Sequence, residues 1–396
     1  MAVAPLADPA TAGAGAGVGR VMRRVRAWHG LALAAVLIAP AVAATGHAGG
    51  DSAAAAVAVE GESELAARIN AVIAQSHGGR FSGVVVVADG DREVYTSGHA
   101  GASEVLPNAD TRFAVGSISK QFAAVLVLRD LDAGRLRLDD TLARRLPGLD
   151  APWAGQVQLR HLLSHTSGIR DTGQPLASLP GSTFAYSNIN YQLLGQVLEV
   201  LHDRPYATLA AELFARCAMA DTAIGDGTDL ALTGADEQPD GSLLPVAHGP
   251  GPEQAASGGA VSTARDLVRW NHCLYRGDLL SPASLALMTS AHAQRPAHRW
   301  GEVAYGYGLQ LAQPGGIVEY SHGGWVQGWI SSLIYYPSLQ RSVVVLENRS
   351  WQGDLALALA PHDQLRDLLL AHPSAAAAPV SAAASNGVSL SDSQAR

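Results

Sequence analysis

Lysine is almost missing from this chain: of 27 basic residues in 396, Lys120 is the one lysine and the other 26 are arginine. Cysteine is nearly as scarce, with only Cys217 and Cys273. Two cysteines exclude a disulfide-dense scaffold and any zinc site built on four thiolates. Charged residues make up 16% against 48% hydrophobic, which excludes a disordered polyelectrolyte and provides for a substantial core. Net charge is −8 and no basic stripe runs along the chain, so nucleic acid is not an expected partner. Two catalytic motifs are absent as well. Without His-Glu-x-x-His or Gly-x-Ser-x-Gly, the zincin and α/β-hydrolase readings fall away.

The first 43 residues read as an address rather than as fold. Arg20, Arg23, Arg24 and Arg26 form a positive segment, Leu31 to Ala39 a short apolar one, and Ala41-Val42-Ala43 a small-residue cleavage site. This is the pattern of a secretory signal peptide, with a mature chain from about Ala44 and a periplasmic or secreted location. A membrane anchor is the competing reading, but the apolar run is too short to cross a bilayer and Pro40 interrupts it, so no stable span is expected. Met22 is an alternative start. Residues 44–60 are expected as a linker, 61–372 as one domain, and 373–396 as a disordered Ala/Ser-rich tail.

Within the domain, Leu65, Ile69, Val72 and Ile73 predict a helix over 62–75. A β-branched run over 81–88, the turn Asp89-Gly90-Asp91 and a second run over 93–97 predict a hairpin. Residues 117–131 are apolar nearly all round, as in a helix buried mid-domain. From 135 to about 300, mainly helices and loops are expected, with a capping box at Thr263 and Asp266. Strands are expected again over 316–321, 329–336 and 341–348, then a helix over 355–370. Strands from both ends and helices from the middle define an α+β fold: one sheet built from both chain ends, with an all-helical part inserted.

Ser117-Ile118-Ser119-Lys120 puts a hydroxyl and an amine three residues apart at the start of the buried helix, on one face and within reach of each other. A serine hydroxyl attacks only when a base takes its proton, and a desolvated lysine can do so. Arginine cannot, because its pKa stays above about 12. Where a positive charge alone suffices the chain uses arginine, so the one lysine marks a place where a deprotonatable amine matters. Two further elements follow: Tyr186-Ser187-Asn188, 69 residues after Ser117, and His322-Gly323-Gly324 at the end of an expected strand.

This ordered set resembles the penicillin-recognising serine hydrolases, which include class C β-lactamases, low-molecular-weight DD-peptidases and related esterases and D-amino-acid peptidases. Residues 113–120, 162–168, 186–188 and 258–263 carry the likeness, which spans about residues 62–370. The resemblance implies an antiparallel sheet from both chain ends flanked by helices, and no metal or cofactor. It further implies Ser117 as the acylated nucleophile and Lys120 as its base or the orienter of the base. Tyr186 would shuttle a proton to the leaving group and later activate water, and Asn188 would hold Lys120 and the substrate amide. His322 would take the basic third-motif role, Gly324 would belong to that motif, and the backbone N–H groups of Ser117 and Trp325 would form the oxyanion hole.

Where the third motif commonly reads Lys-Thr-Gly, this chain has His322 and Gly323. Charge at neutral pH becomes uncertain and a hydroxyl is lost, so a weaker grip on a substrate carboxylate is expected. Short esters or neutral amides should then be preferred over β-lactams. The substrate is a small molecule or peptide, and the oligomeric state is open. A catalytically silent receptor for cell-wall fragments is the alternative. His161 and His165 lie four apart, as metal ligands on a helix can, but no third ligand is apparent. Cys217 and Cys273 could pair or remain buried thiols.

Overall fold

The computed structural model describes residues 51–101, 105–225, 230–246, 251–351 and 355–372. The expected leader (1–43) and the expected tail (373–396) lie outside the described residues. Helix α1, Asp51–Gln75, starts inside the expected linker rather than at Glu62. The Ala53–Ala56 run explains the difference, since alanine is the strongest helix former.

The expected hairpin is β1, Gly83–Asp89, and β2, Arg92–His99. Six more strands come from the far end of the chain: β3 (Ala293–His298), β4 (Gly301–Tyr305), β5 (Gln310–Ala312), β6 (Glu319–Val326), β7 (Trp329–Tyr336) and β8 (Arg341–Glu347). They form one antiparallel sheet in the order β2-β1-β8-β7-β6-β5-β4-β3. The two chain ends therefore join at β1 and β8, paired from Gly83↔Glu347 to Asp89↔Arg341.

Both faces of this sheet are covered. Val84, Val86, Leu333, Val344 and Leu346 pack against the helical body, while Val85, Val87, Ile334, Val343 and Val345 pack on Ile69 and Ile73 of α1. Leu365 and Leu369 of the last helix, α6 (Leu355–Ala371), complete that second layer. Burial on both sides is why the centres of β1 and β8, Val84–Val87 and Val343–Leu346, are continuous apolar runs rather than alternating ones.

Helix α2, Ser119–Asp132, runs through the helical body. Its Phe122 meets Phe214 of α4 (Tyr206–Arg216) and Trp270 of α5 (Ala264–Arg276) edge-on, at 4.9 and 4.7 Å between ring centres. Between α2 and α4 lies α3, Asn188–His202. At the start of α5, Thr263 accepts from the Asp266 amide at 3.1 Å, one half of the expected capping box. The Asp266 carboxylate accepts instead from the Asp221 amide, Thr222 and Arg269.

Several expectations are corrected. The middle stretch is not only helices and loops: it holds strands at Gly234–Glu237, Leu243–Val246 and Ala260–Ser262, as well as β3. These are too short to show a period of two. The strand expected from Gly316 begins at Glu319, because Pro314–Gly316 forms a 3₁₀ turn with Gly315 at φ +57°. Cys217, just past α4, and Cys273, in α5, form a disulfide with their Cα atoms 5.5 Å apart. Of the two states left open by the sequence, the bonded one is present.

Among the described residues no helix is long and apolar enough to cross a membrane.

Candidate active site

Ser117 lies in the 3₁₀ turn Gly116–Ile118 that leads into α2. Two glycines let this turn dock on the sheet. Gly116 has φ +51°, and a Cβ there would stand 3.1 Å from the Trp325 amide nitrogen. A Cβ on Gly324 would meet the Val115 carbonyl at 2.1 Å and Ser331 Oγ at 2.3 Å. Close backbone approach at both points sets the peptide units around Ser117 and Trp325 side by side at the end of β6. Ser119 braces the turn, donating to the Gly116 carbonyl (2.6 Å) and accepting from the Ala260 amide (3.0 Å).

One helical turn on, Lys120 is 0% exposed. Its Nζ donates to Ser117 Oγ (2.9 Å), Asn188 Oδ1 (2.8 Å) and the Ser257 carbonyl (2.6 Å). Burial holds its pKa well below that of a free lysine. Tyr186, just before α3, donates from its hydroxyl to Ser117 Oγ at 2.8 Å. The residue is 39% exposed, and desolvation of the hydroxyl pushes the pKa up to about 12. The three residues singled out by type and spacing meet on one serine oxygen.

His322 points from β6 toward the same cleft. Its Nδ1 lies 2.6 Å from the Gly323 carbonyl, and its Nε2 lies 2.9 Å from the Tyr305 hydroxyl. A carbonyl can only accept, so Nδ1 carries the proton and Nε2 accepts from Tyr305. Burial lowers the pKa to about 3, with the charge of Lys120 adding to the effect. The charge left uncertain by the sequence is therefore absent, and the third motif offers a neutral imidazole. At Gly323 an added Cβ would find its nearest neighbour, the Ser331 carbonyl, at 3.6 Å, an ordinary contact. There is room for a Cβ at this position. The Trp325 side chain stands 47% exposed.

Sequence reasoning missed four groups. The Ser257 carbonyl holds Lys120, and a backbone oxygen leaves no signature in residue type. His165 was weighed as a metal ligand and as part of the 162–168 likeness, but not as a neighbour of Tyr186. Its Nδ1 accepts from the Ser187 amide (3.3 Å) and Asn190 Nδ2 (3.1 Å), and its ring lies 4.3 Å from that of Tyr186. His161 is turned to another task, accepting at Nδ1 from the Gln158 amide. Among the described residues no group of three or more His, Cys, Asp or Glu could hold a metal. Arg295 of β3, inside the stretch read mainly as helices and loops, and Tyr305 of β4, to which no element was assigned, also border Tyr186.

The architecture and the order of these residues define a penicillin-recognising serine hydrolase. The beta-lactamase family model matches residues 39–365, and the chain belongs to that family. It is 29% identical to penicillin-binding protein 4 of Amycolatopsis lactamdurans over 316 residues, 67% of this chain and 80% of that protein. It is 27% identical to the D-aminopeptidase of Gluconobacter oxydans (strain 621H) over 319 residues, 70% of this chain and 58% of that protein. Among solved structures, the D-amino acid amidase from Ochrobactrum anthropi SV3, complexed with L-phenylalanine amide, superposes with a TM-score of 0.67. There the identity is 25%, over 80% of this chain and all of that one.

Proposed function

We propose that this is an exported serine hydrolase that forms an acyl-enzyme on Ser117, acting on neutral amides and short esters and only weakly on β-lactams. The observation that carries the reading is the position of Ser117 Oγ, 2.9 Å from an amine held well below its usual pKa and 2.8 Å from a phenol. As a neutral amine, Lys120 keeps two hydrogens on the Asn188 and Ser257 carbonyl oxygens. Its lone pair is then left for the Ser117 hydroxyl.

In this reading Lys120 takes the Ser117 proton as Oγ attacks the substrate carbonyl, and the amides of Ser117 and Trp325 receive the oxyanion. Tyr186 gives its proton to the departing amine or alkoxide and is restored from Lys120. In the second half-reaction water replaces the leaving group and the same proton path runs in reverse. Asn188 positions Lys120 and the substrate amide. Neutral His322 and bare Gly323 favour substrates without a carboxylate at that end of the cleft. The names of the amidase and aminopeptidase relatives point to the same amide class. The arginine-rich leader supports export.

The test is intact-mass measurement after a fluorophosphonate, with kcat/KM for a p-nitrophenyl ester and a chromogenic cephalosporin on the same preparation. One adduct, lost in Ser117→Ala, and a faster ester are expected. Labelling that survives the substitution removes Ser117 as the nucleophile, and a faster cephalosporin overturns the substrate assignment.

A further inference from the structure

Resting on that reading, Arg295 stands out as a charge without a task. It lies on β3, where the register with β4 shifts between Arg295 and His298; such irregularities re-aim side chains. Its guanidinium carbon is 5.7 Å from the centre of the Tyr186 ring, within cation–π range. Among the described residues it has no hydrogen-bond acceptor and no ion pair. Glu302 lines the same shallow cavity as Arg295 but does not pair with it.

The other titratable groups around Tyr186 supply no standing positive charge. Lys120 of α2, its Nζ 4.9 Å from the centre of the Tyr186 ring, is held low by burial. It is charged only between taking the Ser117 proton and returning it to Tyr186. His165 and His322 are held low as well. Tyr191 of α3 and Tyr305 of β4 are phenols raised by burial and carry no charge near neutrality. Arginine, by contrast, stays protonated throughout the working range. Only Arg295 brings a permanent positive charge to this wall of the cleft among the described residues.

We propose that Arg295 is a positioning residue for Tyr186: its guanidinium stabilises the negative charge left on the phenol oxygen when Tyr186 protonates a leaving group. In that step the Tyr186 O–H bond breaks and an N–H bond forms on the departing amine. The C–N bond of the tetrahedral intermediate breaks with its electron pair passing to that nitrogen. The proton that Lys120 took from Ser117 then returns to Tyr186. The charge on the phenol is transient, and a cation against the ring lowers the barrier through it. The chain thus places on β3 a positive charge that its third motif on β6 does not supply.

A leaving group that departs as a stable anion needs no proton, so the proposal predicts an effect that depends on the leaving group. The experiment compares Arg295→Gln and Arg295→Met with the parent enzyme on an amide and a p-nitrophenyl ester sharing one uncharged acyl group. Reading kcat/KM confines the comparison to acylation. The amide should fall by at least about tenfold in both variants and the ester by less than about threefold, with Arg295→Lys retaining most amide turnover. Equal losses on both substrates, or none on either, overturn the proposal. A loss confined to a carboxylate-bearing version of the substrate also overturns it, making Arg295 a substrate anchor instead. Fluorophosphonate labelling of each variant separates the two readings: unlabelled parent enzyme refutes the serine mechanism beneath, whereas labelled variants with unchanged leaving-group dependence refute only the role of Arg295.

Discussion

Buried cations lie on both sides of the central sheet, and their surroundings differ. On the side covered by α1 and α6, Arg341 is 2% exposed and forks onto the Asp89 carboxylate at 2.6 and 2.9 Å. Arg366 meets Glu319 there at 2.7 Å. On the other side Lys120, more deeply buried, has only a hydroxyl and two carbonyl oxygens, and among the described residues it forms no salt bridge. A carboxylate beside a buried cation favours the charged form, whereas desolvation without one favours the neutral form. The same burial gives a structural ion pair on one side of the sheet and a deprotonatable amine on the other.

Removing a carboxylate should give the largest effect. Asp89→Ala strands the Arg341 guanidinium and is expected to cost about 3 kcal/mol, read by denaturant unfolding. Fluorophosphonate labelling of the protein that remains folded should be unchanged. A variant as stable as the parent would show that Asp89 contributes nothing to holding the charge.

Next comes the opposite exchange, a permanent charge where the amine is. Lys120→Arg should lower kcat/KM by at least about a hundredfold, as expected when a general base is lost. The pH dependence belongs to the same comparison. Because the folded state keeps Lys120 below its ordinary value, the unfolded chain binds the extra proton throughout the window between the two pKa values. The contribution of Lys120 to stability is therefore full above about pH 10.4 and declines as pH falls toward the folded pKa. Activity should fall with Lys120 protonation on the acid side. His322, held near 3, should add no titration around pH 6.5. An acid limb at the ordinary histidine value, abolished in His322→Gln, would contradict this assignment.

The smallest effect is expected at Gly323, where the space for a side chain exists. Gly323→Thr should raise kcat/KM for a carboxylate-bearing substrate relative to its neutral analogue by about threefold to tenfold, the scale of one hydrogen bond. An unchanged ratio would show that the missing hydroxyl does not set the preference.

Much of this was legible in the sequence, and the exceptions share a cause. The i, i+3 spacing of Ser117 and Lys120 is a local property of a helix start, and the valine runs of β1 and β8 record burial on both faces. Tyr186 and Asn188 became meaningful only through their order after Ser117, since distance along the chain says nothing about contact. Arg295 and Tyr305 escaped because β3 and β4 are only six and five residues long, the first interrupted by Pro296 and the second opening on Gly301. The neutrality of His322 could not be read either, because it follows from burial in a cleft that only the folded chain assembles, beside Lys120 of α2 and Arg295 of β3. The Cys217–Cys273 bond was left open for the same reason: the two residues are brought together only by the packing of α4 and α5.

The sealing of Lys120 has a consequence for reagents outside the cell's own chemistry. The folded exterior presents guanidinium groups but no ε-amine, so apart from an α-amino group an amine-selective reagent finds no amine to modify while Lys120 stays buried. Acylation of the single lysine can proceed only through an opening event, so its rate is a clock for local unfolding around α2 that needs no engineered label.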